Sequence, residues 1–159
     1  MTTTAFEIRL AEPKDYEEMS EIFRRSIRET ASQHYDPRQV AAWSAHADDK
    51  EIWAQRVRER MNFLAVEGGR VLGFVQYELP DHVDMTYVHP DCQRRGVATA
   101  LLYELEKEAK RRGVKTLHVE ASITARPFFE RCGYQLIAPQ IVRVRGQNFR
   151  NYSMRKTIA

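Results

Sequence analysis

The segment from residue 88 to residue 102, VHPDCQRRGVATALL, has the residue types of a phosphate-binding turn. Pro90 ends a strand-like run, and Gly96 begins a strongly helical run. The first turn of a helix attracts anions, because about four of its backbone N–H groups are unpaired and it carries a partial positive charge. Gly96 has no Cβ to keep a ligand away, and Arg94 and Arg95 precede it. The segment therefore predicts an anion site that suits phosphates.

A simpler interpretation of the same segment is that Gly96 only begins a helix and that Arg94 and Arg95 are solvated. The chain lacks the G-x-x-x-x-G-K-S/T pattern of nucleoside triphosphatases and the G-x-G-x-x-G pattern of dinucleotide-binding folds. Neither of those two nucleotide-binding classes is therefore indicated.

Hydrophobic periodicity and turn residues predict the elements that position this turn. Alternation bounded by Gly and Pro predicts strands at 6–10, 62–67, 71–78, 82–88, 116–120, 135–144 and 148–156. Apolar residues at helical spacing predict helices at 13–27, 37–43, 52–57, 96–112 and 125–132. The resulting order is typical of an α/β fold of the α+β type with a mixed sheet.

The composition is that of one globular domain over residues 1–159. With 43% apolar residues the chain can bury a core without disulfides or a metal, and no metal-ligand pattern such as HEXXH occurs. No stretch approaches the roughly 20 apolar residues of a membrane-spanning helix, and the N-terminus lacks an apolar signal core. We therefore expect a cytoplasmic protein with no membrane partner. Two cysteines fit a reducing compartment, with Cys132 expected to be buried and Cys92 to lie in an exposed linker.

The net charge of +3 conceals a basic C-terminal segment. Glu130 is the last acidic residue, and the basic residues after it are Arg131, Arg143, Arg145, Arg150, Arg155 and Lys156. Such a segment indicates a nucleic acid, an anionic cofactor or a solvated edge. The arginines are not interleaved with the exposed aromatic residues of single-strand binders, so nucleic acid is not expected, and an anionic cofactor and a solvated edge both stay open as interpretations.

Two segments resemble the GNAT superfamily of N-acetyltransferases. Residues 93–98, Gln93-Arg94-Arg95-Gly96-Val97-Ala98, are similar to its acetyl-CoA motif, Q/R-x-x-G-x-G/A. Residues 121–134, ASITARPFFERCGY, resemble its second motif, in which alanine precedes aromatic residues, an acidic residue and a Gly-aromatic pair. The resemblance follows the element order of about the whole chain and is most specific over residues 82–134. It implies a mostly antiparallel sheet of about seven strands, with helices on both faces, splayed between the fourth and fifth strands.

The resemblance also implies acetyl-CoA as co-substrate. The backbone from Thr86 to Val88 would pair with pantetheine as an added strand does, and the N–H groups of residues 93–98 would hold the pyrophosphate. The family often has a bulge in the fourth strand, and the Val88 N–H is our candidate donor to the thioester oxygen. The predicted cofactor-binding residues are Thr86, Tyr87, Val88, Gln93, Arg94, Arg95, Gly96, Val97, Ala98, Thr99 and Ser122, the last at a position where the family often has asparagine.

The implied reaction is direct attack of a primary amine on the thioester in a ternary complex. An amine with a pKa near 10.4 is neutral in only about one molecule in 10³ at pH 7, so the site needs a base. His82 and Asp84 share one strand face and match positions where family members carry a base. We expect His82 to take the proton, directly or through water, and Asp84 to orient it or hold the substrate cation. Glu120 is a third candidate, and the alternative is that His82 is a surface residue and Asp84 bonds nearby backbone.

Phe129 stands where many family members carry a tyrosine that protonates the leaving thiolate. Phenylalanine has no proton to give. The acid is then Tyr134, Tyr152, a water or absent, and the sequence leaves this choice open, as it leaves open whether the domain is catalytically active.

The implied acceptor region is residues 26–43, with Arg28, His34, Tyr35 and Trp43 as candidates. The run HYDPRQVAAW resembles a subgroup of small bacterial acetyltransferases. Tyr35 and Trp43 would form an aromatic wall against a cation or an aromatic amine, or Trp43 only anchors its helix. We expect a small-molecule amine as substrate and a monomer or homodimer. The alternatives are acetylation of a peptide amine, a non-catalytic CoA-binding domain and a basic nucleic-acid module.

Overall fold

A computed structural model describes residues 6–159, which form one seven-stranded sheet with helices on both faces. The strands are β1 (Glu7–Leu10), β2 (Met61–Glu67), β3 (Arg70–Glu78), β4 (His82–Val88), β5 (Thr116–Ser122), β6 (Gln135–Val144) and β7 (Gln147–Thr157). The helices are α1 (Tyr16–Arg25), α2 (Pro37–Ser44), α3 (Lys50–Glu59), α4 (Val97–Arg111) and α5 (Arg126–Arg131). The predicted order of elements and the predicted fold class are confirmed.

The strand order is β1-β2-β3-β4-β5-β7-β6. All neighbouring strands are antiparallel except β4 and β5, which are parallel. Gly68 and Gly69 both adopt positive φ in the β2–β3 turn, as a tight hairpin between twisted strands requires. The sheet is therefore mixed only at its centre, where β4 meets β5.

Each face of the sheet carries its own hydrophobic core. On one face α4 and α5 pack against β2–β5 and β7, with Leu101, Leu105 and Met154 fully buried. On the other face α1, α2 and α3 bury Phe23 and Trp53 against β2 and β3. The amphipathic pattern that predicted α4 follows from this packing, because only one stripe of that helix contacts the sheet.

The helix predicted over residues 13–27 is the least accurate element. A 3₁₀ turn, Pro13–Asp15, precedes α1, and a π-turn, Ser26–Thr30, follows it. The Ser26 hydroxyl donates a hydrogen bond of 2.8 Å to the Val88 carbonyl, so the wide turn ties α1 to the end of β4. Helical periodicity carries no information about such a tertiary contact.

The two cysteines differ from expectation. Cys92 is 2% exposed, because the 3₁₀ turn Pro90–Cys92 turns its side chain into the core beside α4. The prediction of an exposed Cys92 is wrong. Cys132 is half-buried, and burial raises the pKa of its thiol.

Candidate active site

The sheet opens between β4 and β5. Two residue pairs join these strands, His82 with His118 and Val83 with Val119, and beyond Val83 the strands diverge while β5 continues along β7. The splay predicted between the fourth and fifth strands is thus present.

The backbone of β4 faces this opening. The His89 N–H bonds the Leu72 carbonyl at 2.8 Å, and Val88 lies opposite Gly73 in the register. Because hydrogen-bonded and non-hydrogen-bonded pairs alternate along an antiparallel ladder, the main-chain groups of Thr86 and Val88 turn away from β3. The Val88 carbonyl oxygen accepts hydrogen bonds from the side chains of Ser26 and Gln93. The N–H of Val88 is therefore the main-chain group of this residue that is left facing the opening.

The bulge expected in the fourth strand is present, four residues before Val88. Met85 lies opposite Gln76 and Val83 opposite Tyr77, so Asp84 is the extra residue. The outward direction of the Val88 N–H therefore arises from ordinary alternation and not from the bulge. The bulge instead sets the position of Asp84.

The N-terminus of α4 lies at the same opening. Gly96 is the N-cap at φ +76°, and no side chain caps the helix there. Arg94 also has a positive φ, of 63°, so the chain winds tightly before the helix. The first N–H groups of α4 are therefore available to an anion, as the sequence predicts.

A long groove of about 800 Å³ runs past this helix N-terminus and the edge of β4. Its lining includes nearly all predicted cofactor residues: Thr86, Tyr87, Val88, Gln93, Arg94, Gly96, Val97, Ala98, Thr99 and Ser122. The exception is Arg95, whose guanidinium pairs with Glu67 at 2.6 Å outside the groove. Only the backbone of Arg95 remains a candidate for anion binding. These uncapped N–H groups and the unpaired β4 edge fit a pyrophosphate followed by an extended amide chain.

A second, aromatic cavity of about 270 Å³ lies on the side of the sheet that carries α1–α3. Its walls include Phe23, Tyr35, Trp43, Tyr87 and Phe149. It meets the long groove at the opening between β4 and β5. The residues that line both are Trp43, Thr86, Tyr87, Ser122, Ala125 and Phe129.

The predicted acceptor residues are only partly brought together. Tyr35 and Trp43 line the aromatic cavity, with their rings edge-to-face at 5.3 Å, whereas Arg28 is exposed in the π-turn and lines neither space. The Tyr35 hydroxyl donates to the Arg150 carbonyl and accepts from the Ile123 N–H, both at 2.9 Å. Tyr35 therefore fastens the cavity wall to the ends of β5 and β7 in addition to lining it.

His34, also considered from sequence, is exposed and contacts the Thr124 hydroxyl at 2.9 Å. It lines neither the groove nor the aromatic cavity. His34 follows the short 3₁₀ turn Ala31–Gln33, at the C-terminal cap of that turn.

Carboxylates, and not the imidazole of His82, lie on the cavity wall. Asp84 and Glu120 line the aromatic cavity, and His82 does not. The His82 Nε2 atom lies 2.6 Å from Glu120 Oε2, and its Nδ1 atom lies 3.1 Å from Glu78 Oε1. Burial lowers the pKa of His82, but the hydrogen bond and charge of Glu120, the charge of Asp84 and the hydrogen bond to Glu78 together raise the pKa above its usual value. His82 is thus placed behind Glu120, with a carboxylate at each ring nitrogen.

Asp84 has an unusual electrostatic setting. Its carboxylate is open to the cavity, yet the surrounding walls displace water and raise its pKa, while the nearby His82 opposes that rise. A carboxylate with a raised pKa accepts a proton more readily than an ordinary aspartate does. This setting favours a role for Asp84 as a proton acceptor over a role limited to hydrogen bonding with nearby backbone.

Neither tyrosine considered as a proton donor reaches the opening. The Tyr134 hydroxyl is buried and donates to Glu106 at 2.9 Å, and burial together with that carboxylate raises its pKa strongly. The Tyr152 ring stacks under the Arg126 guanidinium at 4.4 Å. Neither residue lines the groove or the cavity, whereas Phe129 lines both. The hydroxyls present at the junction are those of Thr86, Tyr87 and Ser122.

Sequence reasoning missed Arg56 of α3, which lines the aromatic cavity. Arg56 follows Trp53 by three residues and precedes Val57, and both of these neighbours are buried. A cation on the apolar face of a helix was the available signal.

The basic C-terminal residues are mostly solvated. Arg143, Arg145, Arg150 and Arg155 are exposed and line neither the groove nor the aromatic cavity. Lys156 pairs with Glu106 at 3.0 Å. Of the basic residues after Glu130, Arg131 lines the groove.

The mixed sheet opens beside a parallel strand pair, with an uncapped helix N-terminus in the opening, and this is the arrangement that the resemblance to the GNAT superfamily implied. The chain belongs to the GNAT family: the sequence model of the acetyltransferase (GNAT) domain matches residues 31–157. An uncharacterised N-acetyltransferase of Escherichia coli strain K12, YafP, is 39% identical over 149 residues, which is 94% of each chain.

Solved structures agree with this assignment. A GCN5-related N-acetyltransferase from Rhodopseudomonas palustris is 35% identical, with a TM-score of 0.94 over 99% of this chain and 98% of that one. The PaiA N-acetyltransferase from Thermoplasma acidophilum, solved with coenzyme A, shares the fold at 18% identity, with a TM-score of 0.79 over 99% of each chain.

Over residues 6–159, no helix is both long and apolar enough to cross a membrane. Within the same range, no cluster of three or more His, Cys, Asp or Glu side chains could hold a metal ion.

Proposed function

We propose that this chain transfers the acetyl group of acetyl-CoA to the primary amine of a small molecule held in the aromatic cavity. The observation that carries the proposal is the junction of the two spaces, since the long groove and the aromatic cavity meet where β4 leaves β5. A donor in the groove and an acceptor in the cavity would reach each other only there. The cavity of about 270 Å³ suits a small molecule better than a peptide, which would need an open channel.

The groove would hold acetyl-CoA through backbone groups. The first N–H groups of α4 would bind the pyrophosphate, and the β4 edge at Thr86 and Val88 would pair with pantetheine. Acetyl-CoA supplies a thioester carbonyl that a neutral amine attacks. The Val88 N–H, turned toward the opening, would donate to that carbonyl oxygen and stabilise its growing negative charge.

Asp84 is our proposed proton acceptor for the amine. As the new N–C bond forms and the C–S bond breaks, Asp84 takes the amine proton, and a hydroxyl or a water at the junction relays that proton to the thiolate. His82 would act as a positioning residue outside the cavity lining. Its ring nitrogens contact Glu78 and Glu120, and it would hold Glu120 in place as a second anionic contact for the substrate ammonium. The expectation that His82 takes the proton directly stays a prediction, which its placement behind Glu120 does not favour.

The test combines acetyl-CoA binding with thiol release over a panel of small amines. Acetyl-CoA should raise the melting temperature of the wild type, and at least one amine should release free CoA. Asp84→Asn should lower turnover by about 10²-fold or more with unchanged acetyl-CoA affinity, because proton transfer to a positioned base contributes that much. Asp48→Asn is the control, since Asp48 makes only a surface pair with Arg24.

Two results would contradict the proposal at different levels. A protein that acetyl-CoA does not stabilise is no acetyl-CoA-dependent enzyme, and nucleic-acid affinity that falls steeply with salt would then favour the basic module. Full activity of Asp84→Asn between pH 6 and 8 would overturn only the assignment of the base.

A further inference from the structure

The charged wall of the aromatic cavity is asymmetric. Its ionisable lining consists of the acidic residues Asp84 and Glu120, together with Arg56, His46, Tyr35 and Tyr87. Burial, reinforced by the positive charge of Arg56, lowers the pKa of His46, so this imidazole is uncharged at neutral pH. Within residues 6–159, Arg56 is therefore the one fully charged cation on the cavity wall.

Within residues 6–159, Arg56 forms no direct ion pair. Over residues 6–159, no carboxylate lies within 4.0 Å of its guanidinium, in contrast to Arg60 one turn later, which pairs with Glu78 at 2.6 Å. The contacts of the Arg56 guanidinium are the Met85 sulfur at 3.7 Å and the Trp53 ring, whose centroid lies 5.5 Å away. The side chain is half-buried, and burial lowers its pKa.

An unpaired, half-buried guanidinium is costly to the fold, because taking a charge out of water is repaid only by a partner. Arginine keeps its charge in proteins and presents a planar fork that matches a carboxylate. Asp84 lies near enough for each charge to shift the pKa of the other, yet the two do not form an ion pair. An anion and a cation could thus be bound side by side in this cavity.

On the basis of the proposed function, we propose that the acceptor is a primary amine that also carries a carboxylate, with Arg56 binding the carboxylate while the amine lies against Asp84 and Glu120. The aromatic walls formed by Phe23, Trp43 and Phe149 would hold an apolar or aromatic body between them. A zwitterion of this kind would pair with Arg56 and with the two carboxylates at once. An amine without a carboxylate would leave the Arg56 charge unpaired.

The competing interpretation is that Arg56 serves only as a distant counter-charge for Asp84. In that case its removal would change the acid limb of the pH–rate profile equally for all amines. Recognition of a carboxylate would instead change the preference between matched amines. The two interpretations therefore differ in selectivity and not in overall rate.

The experiment uses three compounds with one skeleton: phenylalanine, phenethylamine and 3-phenylpropionate. The wild type should have a kcat/KM for phenylalanine about 10- to 100-fold above that for phenethylamine, because a charge-assisted hydrogen bond contributes on that scale. In Arg56→Met this ratio should fall at least about tenfold, mainly through KM. Arg56→Lys keeps the charge but loses the fork, and should recover part of the ratio. Arg58→Met, exposed on the same helix, is the control and should keep the wild-type ratio.

Binding provides a readout that does not depend on turnover. Titration of 3-phenylpropionate into the CoA-saturated protein should give a measurable affinity that Arg56→Met abolishes and Arg58→Met retains. A wild type that prefers phenethylamine, or Arg56-independent binding of 3-phenylpropionate, overturns the inference while leaving acetyl transfer intact. If neither amine is acetylated, the titration alone decides whether 3-phenylpropionate binds through Arg56, as we infer, or independently of it. Failure of acetyl-CoA itself to bind would instead refute the proposed function.

Discussion

Gly73 of β3 lies where β3, β4 and the N-terminus of α4 are in contact. Its replacement by alanine therefore tests whether the close packing of these elements positions the groove. A Cβ at this residue would lie 2.9 Å from the Tyr87 carbonyl oxygen, 3.1 Å from Val97 Cγ1 and 3.3 Å from the Val88 Cα. Two of these atoms belong to the backbone of β4 and cannot rotate away, and the third belongs to the first residue of α4. Gly73→Ala must therefore push both β4 and the N-terminus of α4 away from β3.

The expected magnitudes follow from these contacts. Adding a methyl group to a well-packed core costs about 1–3 kcal/mol, which lowers the melting temperature of a chain of this length by about 2–12 °C. The displaced backbone carries the Val88 N–H and the first N–H groups of α4. Misaligning one or two hydrogen bonds of about 1 kcal/mol each should weaken acetyl-CoA binding by about 5- to 30-fold.

Calorimetric melting and titration with acetyl-CoA measure the two effects separately. Gly146→Ala is the control: this glycine has a φ of +81° and no atom within 4 Å of a built Cβ, so alanine there is strained but displaces nothing. It should lower the melting temperature modestly and leave the affinity unchanged. If Gly73→Ala melts and binds acetyl-CoA as the wild type does, the close packing of β3, β4 and α4 does not hold the groove and our reasoning is refuted.

Two further predictions concern the walls of the aromatic cavity. Tyr35→Phe should destabilise the protein by about 1–3 kcal/mol, since it leaves the Arg150 carbonyl and the Ile123 N–H without their partner; an unchanged melting temperature would contradict this. Glu120→Gln should lower the pKa of His82, measured by NMR titration of its imidazole, because a neutral amide replaces the carboxylate whose charge-assisted hydrogen bond and negative charge raise that pKa against burial. The raised pKa of His82 in the folded state means that protonated His82 stabilises the wild type fully below the pKa of the unfolded state. This contribution is lost as the pH rises through the folded pKa. The stability lost between pH 6 and pH 8 should therefore be smaller in Glu120→Gln than in the wild type. The same pH dependence in both proteins would show that Glu120 does not control His82.

Local sequence signals predicted the order of the elements and most of the residues that line the groove. Pro90 and Gly96 bracket the turn before α4, and a glycine at positive φ without a capping side chain is encoded by those residues alone. The groove residues between Gln93 and Thr99 could be predicted from this turn, because consecutive residues at a helix N-terminus lie close together in space. Arg95 departs from this pattern because its long side chain reaches Glu67, on a strand distant in sequence.

The aromatic cavity depended on contacts between distant segments. Asp84 and His82 share a strand face in sequence, yet the bulge at Asp84 and the bond from His82 to Glu120 send one to the cavity wall and the other behind it. Tyr134 and Tyr152 looked equivalent as acids until packing placed the hydroxyl of one on Glu106 and the ring of the other beneath Arg126. Such outcomes depend on strand register and side-chain packing, which spacing along the chain does not contain.

By itself, the sequence predicted the element order and the anion-binding turn, because both follow from local periodicity and turn residues. The splayed sheet was implied by the resemblance of two motifs to the GNAT superfamily. Only the tertiary structure decided which ionisable groups line the aromatic cavity. Arg56 on α3, Asp84 on β4 and Glu120 on β5 meet at one cavity because β4 and β5 part while α1–α3 cover one face of the sheet. Arg56 lines this cavity because the packing of α3 turns its side chain inward, and spacing along the chain does not show which residues it will meet there.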